Sequence, residues 1–482
     1  MKVVLFALNG SYTHTNLAIR CLRAPLEREG FEVVTVEYNL RDRTTHVLER
    51  LYCEKADVYG FSCYIWNVEQ MLSLSRALKE LRPDSKIIFG GPEVSFGTER
   101  FSQMPWVDAI VCGEAEESLP LLCQKIKRND PFERITVAPS SKTITNDGML
   151  YRDGESTGGI LYYESSRGCP YQCAYCLSSA TRGVRFRSAE QTIEDLIKFE
   201  TLRANCKIIK FVDRTFNADV KRANRIWEAL LGEQFTKRYH FEVCATLLNE
   251  ESFSILSRFP KGKIQLEFGL QSTNPETLHA VSRHIDAGQV IGAVQRIYDM
   301  GNIHVHLDLI AGLPYESYER FAKSFDEAYG SCHLLQLGFL KLLYGTELRA
   351  RAEEYGYRCL PNPPYTVLQS NWISYLELQR LSRIAEVLER YLESGRFVHT
   401  LWYLTPLMRS PFRFWEGLSN YLQQNDGRAL QKISQPDAYR YLLEYAVQSI
   451  PEAEPSELMD FMSSDFTQAE NKNPPSFLRR RG

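Results

Sequence analysis

Three cysteines near the middle of the chain have the spacing of ligands to an iron–sulfur cluster. Cys169, Cys173 and Cys176 are separated by three and two intervening residues, within the segment YESSRGCPYQCAYCL. Three thiolates at these offsets can each bind one iron of a cubane, and the fourth iron is then left without a protein ligand. Such an open iron can bind a substrate or a cofactor. The spacing therefore predicts a [4Fe-4S] cluster whose three protein ligands are also its catalytic residues.

Zinc and disulfides are the competing explanations for these cysteines. A zinc site generally uses four ligands arranged as two close pairs, and no second pair follows this motif within reach. The chain has twelve cysteines, and those outside the motif show none of the regular spacings of a disulfide framework. In a reducing compartment most of them are expected to be small buried hydrophobic residues.

Composition bounds the partners and the location of the protein. The 482 residues suffice for two or three domains, and 44% of them are hydrophobic. Acidic and basic residues nearly cancel, with a formal net charge of −3, so no broad electrostatic field favours nucleic acid or an anionic membrane. The apolar run at the N-terminus is shorter than a signal peptide requires, and no apolar run of about 18 residues occurs. We therefore predict a cytoplasmic protein with no membrane segment and no evident nucleic-acid partner.

The first part of the chain alternates predicted strands with predicted helices, which specifies a doubly wound parallel sheet of the Rossmann-like kind. In such a sheet a ligand lies beyond the carboxyl ends of the strands. No dinucleotide fingerprint or phosphate-binding loop motif occurs here. The loops that follow the strands should share one rim, and they are Asn9–Thr15, Ser62–Asn67, Gly90–Ser95 and Gly113–Glu116.

Strands and helices alternate again after the cysteine motif. Six βα units fit an open, partial (β/α)6 barrel with its chemistry at the carboxyl ends of the strands. Beyond about residue 346 the pattern becomes helical and rich in aromatic residues, which favours a helical cap with a role in substrate binding. The predicted barrel strands are Leu161–Glu164, Lys207–Val212, His240–Ala245, Gln265–Leu270, His304–Ile310 and Leu335–Leu340.

The cysteine motif resembles the signature of the radical S-adenosylmethionine (SAM) enzymes. The resemblance implies that the fourth iron binds the amino and carboxylate groups of SAM, and that an electron from the cluster cleaves SAM to a 5′-deoxyadenosyl radical. The polar residues at the predicted strand ends resemble the coproporphyrinogen-dehydrogenase-like branch of these proteins. Arginine suits the SAM carboxylate, carboxylate and amide side chains suit its hydroxyls, and an aromatic ring can cover adenine. The SAM contacts implied by the resemblance are Tyr163, Tyr175, Asp213, Glu242, Gln271, Arg283 and Asp308.

The order of loops in the N-terminal part is similar to that of the cobalamin-binding domain that precedes many radical SAM modules. The resemblance implies that Ser62, Gly90 and Gly91 line a slot for the nucleotide tail of cobalamin. The other contacts that it implies are Asn9, Tyr12, Tyr64, Glu93, Gly113 and Glu114.

One departure from the cobalamin family concerns the lower ligand of cobalt. Domains that use a histidine ligand carry Asp-x-His-x-x-Gly after the first strand, whereas the stretch here has His14 without the aspartate or the glycine. A metal-bound histidine usually needs a partner that orients it. We expect His14 to be a loop residue or an orienting residue, with ligation of cobalt as the alternative. The lower face of cobalt would then be vacant or hydrated and capped by loop side chains.

These patterns and resemblances together predict a cobalamin-dependent radical SAM enzyme. The commonest reaction of this class, and the one expected here, is methylation of an unactivated carbon of an organic substrate, whose identity the sequence does not indicate. Its cofactors would be a [4Fe-4S] cluster, SAM and cobalamin, with a flavodoxin-type or ferredoxin-type electron donor. The alternatives are an oxidative cyclase or rearrangement enzyme without methyl transfer, and a non-catalytic cobalamin sensor or carrier with a structural cluster. The predicted division is 1–128 for the cobalamin domain, 129–160 for a linker, 161–345 for the partial barrel and 346–482 for the helical domain.

Overall fold

Apolar runs of β-branched and aromatic residues alternate with helices near the N-terminus and form a six-stranded parallel sheet. The structure is a computed structural model that describes residues 1–139, 144, 150–155, 158–181, 183–202, 206–427 and 430–479. The elements of this sheet are β1 (Lys2–Asn9), α1 (Leu17–Arg28), β2 (Glu32–Asn39), α2 (Thr44–Cys53), β3 (Val58–Ser62), α3 (Val68–Leu81), β4 (Lys86–Gly90), α4 (Pro92–Phe96), α5 (Glu99–Ser102), β5 (Ala109–Cys112), α6 (Ala115–Arg128) and β6 (Ile135–Val137).

The strand order β2-β1-β3-β4-β5-β6 makes this sheet doubly wound. Both faces are covered, since Phe6 and its neighbours belong to one buried cluster with α2 and α3, whereas Leu5 belongs to another with α1 and α6. Strand β1 is accordingly buried along almost its whole length. The connections leave β1 and β3 in opposite directions along the sheet, so a crevice is expected between the carboxyl ends of these two strands.

The predicted linker, residues 129–160, lies partly outside the described residues. Its first part adds β6 to the sheet, with Ile135 aligned with Ile110 of β5. A later part is held against α1, because Arg23 Nη2 donates to the carbonyl of Leu150 at 3.0 Å. The described part of this segment is therefore packed onto the first sheet.

The chain divides into two units. The first comprises Met1–Leu266, Lys341–Arg351 and Leu360–Thr366, and the second comprises Glu267–Leu340, Ala352–Cys359 and Val367–Gly482.

Besides the first sheet, the first unit contains a second set of parallel strands in which β10 lies between β7 and β11. Behind these strands, Phe211, Phe216, Phe241 and Trp227 form a fully buried aromatic core. The elements of this part are β7 (Ile160–Tyr163), β8 (Ser166–Gly168), β9 (Val184–Phe186), α7 (Ala189–Thr201), β10 (Ile208–Phe211), α8 (Val220–Leu230), β11 (Arg238–Val243) and α9 (Glu250–Leu256).

The second unit begins within β12 and continues with two further βα repeats, in which β13 pairs with β14 in parallel. These elements are β12 (Ile264–Gln271), α10 (Pro275–Ala280), α11 (Ala287–Asp299), β13 (His304–Ala311), α12 (Tyr318–Ala328) and β14 (Leu334–Phe339). The next helix, α13 (Glu347–Ala350), belongs to the first unit.

The C-terminal region is helical, as predicted, after a short hairpin. Among the described residues, no helix is both long and apolar enough to cross a membrane. The elements are β15 (Arg358–Cys359), β16 (Val367–Gln369), α14 (Tyr375–Tyr391), α15 (Val398–Leu404), α16 (Pro411–Asn425), α17 (Gln435–Ser449) and α18 (Pro455–Glu470).

Helix α15 begins at a buried carboxylate supplied by α18. Asp465 Oδ1 accepts hydrogen bonds from the backbone N–H of His399 at 3.0 Å, and Oδ2 accepts from the N–H of Thr400 at 2.8 Å and from its hydroxyl at 2.7 Å. The side chain of Asp465 is only 3% exposed. Because the first N–H groups of a helix have no partner within it, this carboxylate caps α15 and fastens it to α18.

Replacing Asp465 with alanine should lower the free energy of unfolding by about 2–4 kcal/mol, because two helix N–H groups and a hydroxyl lose their buried acceptor. Urea denaturation followed by circular dichroism measures the loss. Glu457→Ala, at an exposed position of the same helix, is the control and should change stability by less than about 0.5 kcal/mol. Equal effects of the two substitutions would contradict this account of α15.

Candidate active site

The three cysteines of the motif lie in one loop that follows β8. Cys173 is buried and the other two are half-buried, and the backbone N–H of Cys176 donates to the carbonyl of Cys173 at 3.0 Å. Burial raises the pKa of the Cys169 thiol, and the nearby Cys176 and Cys173 thiols add to this increase. Binding of a metal would favour the deprotonated thiolates instead.

The described residues contain no group of three or more His, Cys, Asp or Glu side chains converging on a single metal ion. A cubane does not require such convergence, because each of its irons takes one thiolate. The three cysteines thus fit the donor set of a cluster better than that of a mononuclear zinc site.

Asp213 holds the segment that enters the cysteine loop. It directly follows the residue after β10 and is fully buried. One carboxylate oxygen accepts from the backbone N–H of Ser165 at 2.7 Å, and the other accepts from the hydroxyls of Ser165 at 2.5 Å and Ser166 at 2.8 Å. Burial raises the pKa of Asp213 despite these hydrogen bonds. Both oxygens are thus engaged within the protein, and the predicted contact with SAM stays a prediction.

The other predicted SAM contacts in the first unit differ in exposure. The Tyr163 ring is fully buried between Phe199 and Phe211, and its hydroxyl donates to Asp195 at 2.8 Å. Tyr175 in the cysteine loop and Glu242 on β11 are both half-buried. The structure therefore places the Tyr163 side chain in the core, and contacts of all three residues with SAM remain predictions.

A cavity of about 560 Å³ lies within the first unit, at the carboxyl ends of β3, β4 and β5. Its wall also includes residues on both sides of the cysteine loop, from Glu164 to Gly168 before it and Leu177, Ser178 and Thr181 after it. This volume is in the usual range for ligand pockets. The predicted rim residues that line the cavity are Ser62, Tyr64, Gly90, Gly91, Gly113 and Glu114.

Glycine is required at one position of the rim, Gly91. Gly91 has φ +104°, and a Cβ added there would lie 2.5 Å from the carbonyl oxygen of Cys63. Apolar side chains from β1 and α1, among them Leu5, Ala18 and Leu22, extend the wall between the sheet and α1. This largely apolar cavity opens at a glycine-lined rim. Such a cavity suits a bulky ligand with an extended tail, for example a cobalamin with its nucleotide.

Three of the predicted cobalamin contacts do not line this cavity. Asn9 is buried and donates to Glu37 on β2 at 2.7 Å, and Tyr12 is 79% exposed. Glu93 accepts hydrogen bonds from Arg100 at 2.7 Å and from the hydroxyl of Tyr365. Their contacts with cobalamin stay predictions that this arrangement does not support.

His14 is also absent from the cavity wall. Its Nδ1 lies 2.5 Å from the hydroxyl oxygen of Tyr162. Burial lowers the pKa of His14, and the positive charge of Lys210 lowers it further. The neutral ring therefore faces the strand that leads into the cysteine loop.

Sequence analysis missed a charged cluster in the cavity wall. Arg167 pairs with Glu114 at 3.0 Å, with Glu116 at 2.7 Å and with Glu164 at 2.6 Å. Burial alone would raise the pKa of Glu114, but hydrogen bonds from Arg185 and Arg167 lower it. The available signal was an arginine two residues before the first cysteine of the motif, together with two acidic residues around the start of α6.

In the second unit, Gln271 and Arg283 lie over the same glycine. Arg283 Nη2 donates to the carbonyl of Gly269, and a Cβ added to Gly269 would lie 2.3 Å from Gln271 Nε2 and 3.3 Å from Arg283 Nη2. Gln271 Oε1 is buried and has no hydrogen-bond partner in the part of the chain that the structure describes. Asp308 is half-buried on β13. Two of the three SAM contacts predicted for this unit are thus brought together.

A buried carboxylate fixes the loop that begins after Gln271. Glu316 Oε1 accepts from the hydroxyls of Ser272 at 2.9 Å and Ser324 at 2.8 Å. Its Oε2 is buried without a partner among the described side and main chains. Burial raises the pKa of Glu316 to about 7, although the two hydroxyls and the charge of Arg320 act in the opposite direction.

The raised pKa of Glu316 predicts a pH-dependent stability. The folded state holds the proton of the Glu316 carboxyl more tightly than the unfolded state does. The contribution of Glu316 to the free energy of unfolding is therefore complete below the ordinary pKa of 4.5 and is lost as pH rises through about 7. Urea denaturation between pH 5.5 and 8 should therefore show a larger fall in unfolding free energy for the wild type than for Glu316→Gln, by up to about 2 kcal/mol. Glu319→Gln, an exposed neighbour, is the control and should keep the wild-type slope. Identical slopes for wild type and Glu316→Gln would refute the assignment.

Three family models match successive parts of the chain. Residues 3–122 match the B12 binding domain, residues 163–328 match the Radical SAM superfamily, and residues 353–482 match a family described as a protein of unknown function, DUF4080. The predicted combination of a cobalamin-binding domain with a radical SAM domain is confirmed by the first two matches.

Similar proteins carry the same combination. The chain is 25% identical over 428 residues to the cobalamin-dependent radical SAM methyltransferase TokK from Streptomyces tokunonensis, which covers 76% of this chain and 61% of TokK. The chain thus spans about three fifths of the length of this relative.

Two solved structures share the fold. The cobalamin-dependent SAM radical enzyme OxsB, with aqua-cobalamin and SAM bound, matches 98% of this chain and 79% of its own at a TM-score of 0.64 and 15% identity. The methyltransferase TsrM from Kitasatospora setae, with cobalamin and a [4Fe-4S] cluster bound, matches 76% of this chain and 78% of its own at a TM-score of 0.60 and 16% identity. These likenesses confirm the predicted fold class of an N-terminal parallel-sheet domain, a radical SAM barrel and a helical C-terminal region.

Proposed function

We propose that this chain, which combines a B12-binding domain with a Radical SAM domain, is a cobalamin-dependent radical SAM enzyme that methylates an unactivated carbon of an organic substrate. The observation that carries the proposal is the cavity in the first unit. Its wall comes both from the rim of the doubly wound sheet and from the residues that flank the cysteine loop. A cobalamin held there would lie beside a cluster held by the three cysteines.

The cofactors would supply the chemistry that protein side chains lack. Bound together, the cluster and SAM supply a radical that abstracts hydrogen from carbon, and cobalamin supplies a methyl group. The chain's own part is to hold and place them. Cys169, Cys173 and Cys176 would bind the cluster, and Asp213 fixes the start of their loop through Ser165 and Ser166.

Cobalamin would enter the slot between the first sheet and α1. Gly91 lets the backbone approach the ligand at the rim, while the apolar wall would bury the nucleotide tail. His14 contacts Tyr162 and is not among the residues that line the cavity, which supports a cobalt without a histidine ligand. A loop side chain of the wall such as Tyr64, which stacks on Trp66 with ring centroids 4.4 Å apart, would then cap the lower face.

The remaining assignments belong to the same proposal. The SAM contacts would be Tyr163, Tyr175, Asp213, Glu242, Gln271, Arg283 and Asp308, with an external low-potential electron donor and a cytoplasmic location. The domains would keep the bounds 1–128, 129–160, 161–345 and 346–482. TokK is named as a methyltransferase, and this favours methyl transfer over cyclisation or rearrangement.

Replacing Cys173 with alanine should abolish release of 5′-deoxyadenosine from SAM, because a cubane with two thiolate ligands is not retained. The protein is purified and reconstituted without oxygen, and its iron and sulfide content is measured beside nucleoside release in the presence of a strong reductant. Cys206→Ala, which removes a buried cysteine outside the motif, is the control and should retain the cluster. Zinc in place of iron, or undiminished nucleoside release by Cys173→Ala, would sink the proposal.

The mass of the product separates methyl transfer from its alternatives. With a cell extract as substrate source, the active enzyme should add one methylene equivalent to a compound. Loss of hydrogen without added carbon would indicate a cyclase or rearrangement enzyme. Cobalamin binding without any 5′-deoxyadenosine would indicate a sensor or carrier.

Substituting alanine for Gly91 should weaken binding of hydroxocobalamin by about tenfold or more, since the backbone conformation at φ +104° and ψ 171° costs about 1–3 kcal/mol for any other residue and the new methyl group meets the Cys63 carbonyl. An absorbance titration without oxygen measures the affinity. Gly292→Ala provides the matched control, because a Cβ there meets nothing within 4 Å. Unchanged affinity in Gly91→Ala would remove the rim from the cobalamin site.

A further inference from the structure

Two guanidinium groups, those of Arg167 and Arg185, join the two parts of the first unit that would hold the two metal cofactors, and Arg167 reaches more carboxylates than Arg185 does. Arg167 Nη1 contacts Glu114 at 3.0 Å, and its Nη2 contacts Glu116 at 2.7 Å. Its Nε donates to both carboxylate oxygens of Glu164 at 3.0 Å. Every nitrogen of this side chain is therefore bound to a carboxylate.

The partners of Arg167 come from different segments of the chain. Glu114 and Glu116 lie where β5 passes into α6, at the rim of the doubly wound sheet. Glu164 and Arg167 lie on the segment that enters the cysteine loop, and Arg167 precedes Cys169 by two residues. All four side chains line the cavity.

The geometry restrains the ion pairs around Arg167 at the end nearest the cysteines. The four side chains are between 8% and 18% exposed, so their ion pairs are screened less than surface pairs. Between Arg167 and Cys169, Gly168 has φ +99°, and a Cβ there would lie 2.1 Å from the carbonyl oxygen of Gly183. The backbone between the guanidinium and the first cysteine is thus held against the strand β9 hairpin.

We propose that Arg167 is a positioning residue that couples the cluster site to the cobalamin site, so that a bound cluster strengthens the binding of cobalamin. This inference rests on the proposed function. A cluster bound by the cysteines fixes the loop next to Arg167, and Arg167 then holds Glu114 and Glu116 in place at the rim. The cavity wall is ordered before cobalamin arrives, and less of the binding free energy is spent on ordering it. By linkage, bound cobalamin strengthens retention of the cluster by the same factor.

The chain offers conservative and matched variants for a test. Arg167→Gln removes the charge but keeps hydrogen-bond donors, whereas Arg167→Lys keeps the charge but cannot bridge three carboxylates at once. Arg152→Gln removes an ion pair to Glu27 on α1, which also joins a later segment to the first sheet but lies outside the cavity wall. Glu116→Gln removes the charge of one of the three carboxylates that Arg167 contacts and leaves Arg167 itself unchanged.

The measured quantity is the ratio of hydroxocobalamin affinities with and without a reconstituted cluster, from absorbance titrations without oxygen. The wild type and Arg152→Gln should show a ratio of about 10, within the usual range of coupling between sites. The ratio should fall toward 1 in Arg167→Gln, in which Arg185 still pairs with Glu114, and should fall less in Arg167→Lys and Glu116→Gln. If Arg167→Gln does not fold, the other two variants carry the test.

Two results would overturn the inference. One is a wild-type ratio of 1, and the other is a ratio in every Arg167 and Glu116 variant that equals the wild-type ratio. Neither result bears on the proposed function, which is tested separately by cobalamin binding and by release of 5′-deoxyadenosine in the wild type. The electron paramagnetic resonance spectrum of the reduced cluster provides a second readout. Its line shape should change when cobalamin is added to the wild type and should not change in Arg167→Gln.

Discussion

The candidate site depends on the hydrogen bonds that the buried carboxylate of Asp213 accepts. A fully buried carboxylate is costly unless its oxygens find donors, and the donors here are the backbone and hydroxyl groups at the start of the cysteine segment. The segment thus cannot move away from the end of β10 without leaving the charge unpaired. This buried anchor therefore fixes the start of the loop that would hold the three thiolates.

The cysteine loop is supported from other directions by parts of the chain distant in sequence. The backbone N–H of Leu348 donates to the carbonyl of Ala174, between the second and third cysteines, at 2.9 Å. In the same returning segment, Tyr344 lies beneath the guanidinium of Arg100 at 4.0 Å, and Arg100 pairs with Glu93 next to the cavity wall. Residues that follow the last barrel strand therefore brace both the loop and the helix that follows the glycine-lined rim.

Local patterns in the sequence predicted the parallel strands of the first sheet other than β6, which are apolar runs covered on both faces, and the helical character of the C-terminal region. Strand β6 was missed because Ile135–Val137 is short and lies in a polar stretch, and only its pairing with β5 makes it a strand. The cysteine ligands were evident from spacing alone. Tyr163 and Asp213 were assigned to SAM from the resemblance to radical SAM proteins, whereas their partners Asp195, Ser165 and Ser166 are set by tertiary packing.

The rim of the first sheet shows why a sequence predicts the edge of a site better than its members. Loops after parallel strands reach the same edge whatever the strand order, so Asn9 and Gly91 were equally plausible contacts. The strand order decides between them. Because β1 lies between β2 and β3, a side chain at its end can turn to either neighbour, and Asn9 turns to Glu37 on β2. The cavity extends instead over β3, β4 and β5, where Gly91 and Gly113 both have positive φ, and where an added Cβ would lie 2.5 Å from the Cys63 carbonyl oxygen and 3.0 Å from the Ala138 carbonyl oxygen. These two glycines therefore set the path of the backbone at the rim of the cavity, which the polarity of the loops alone does not reveal.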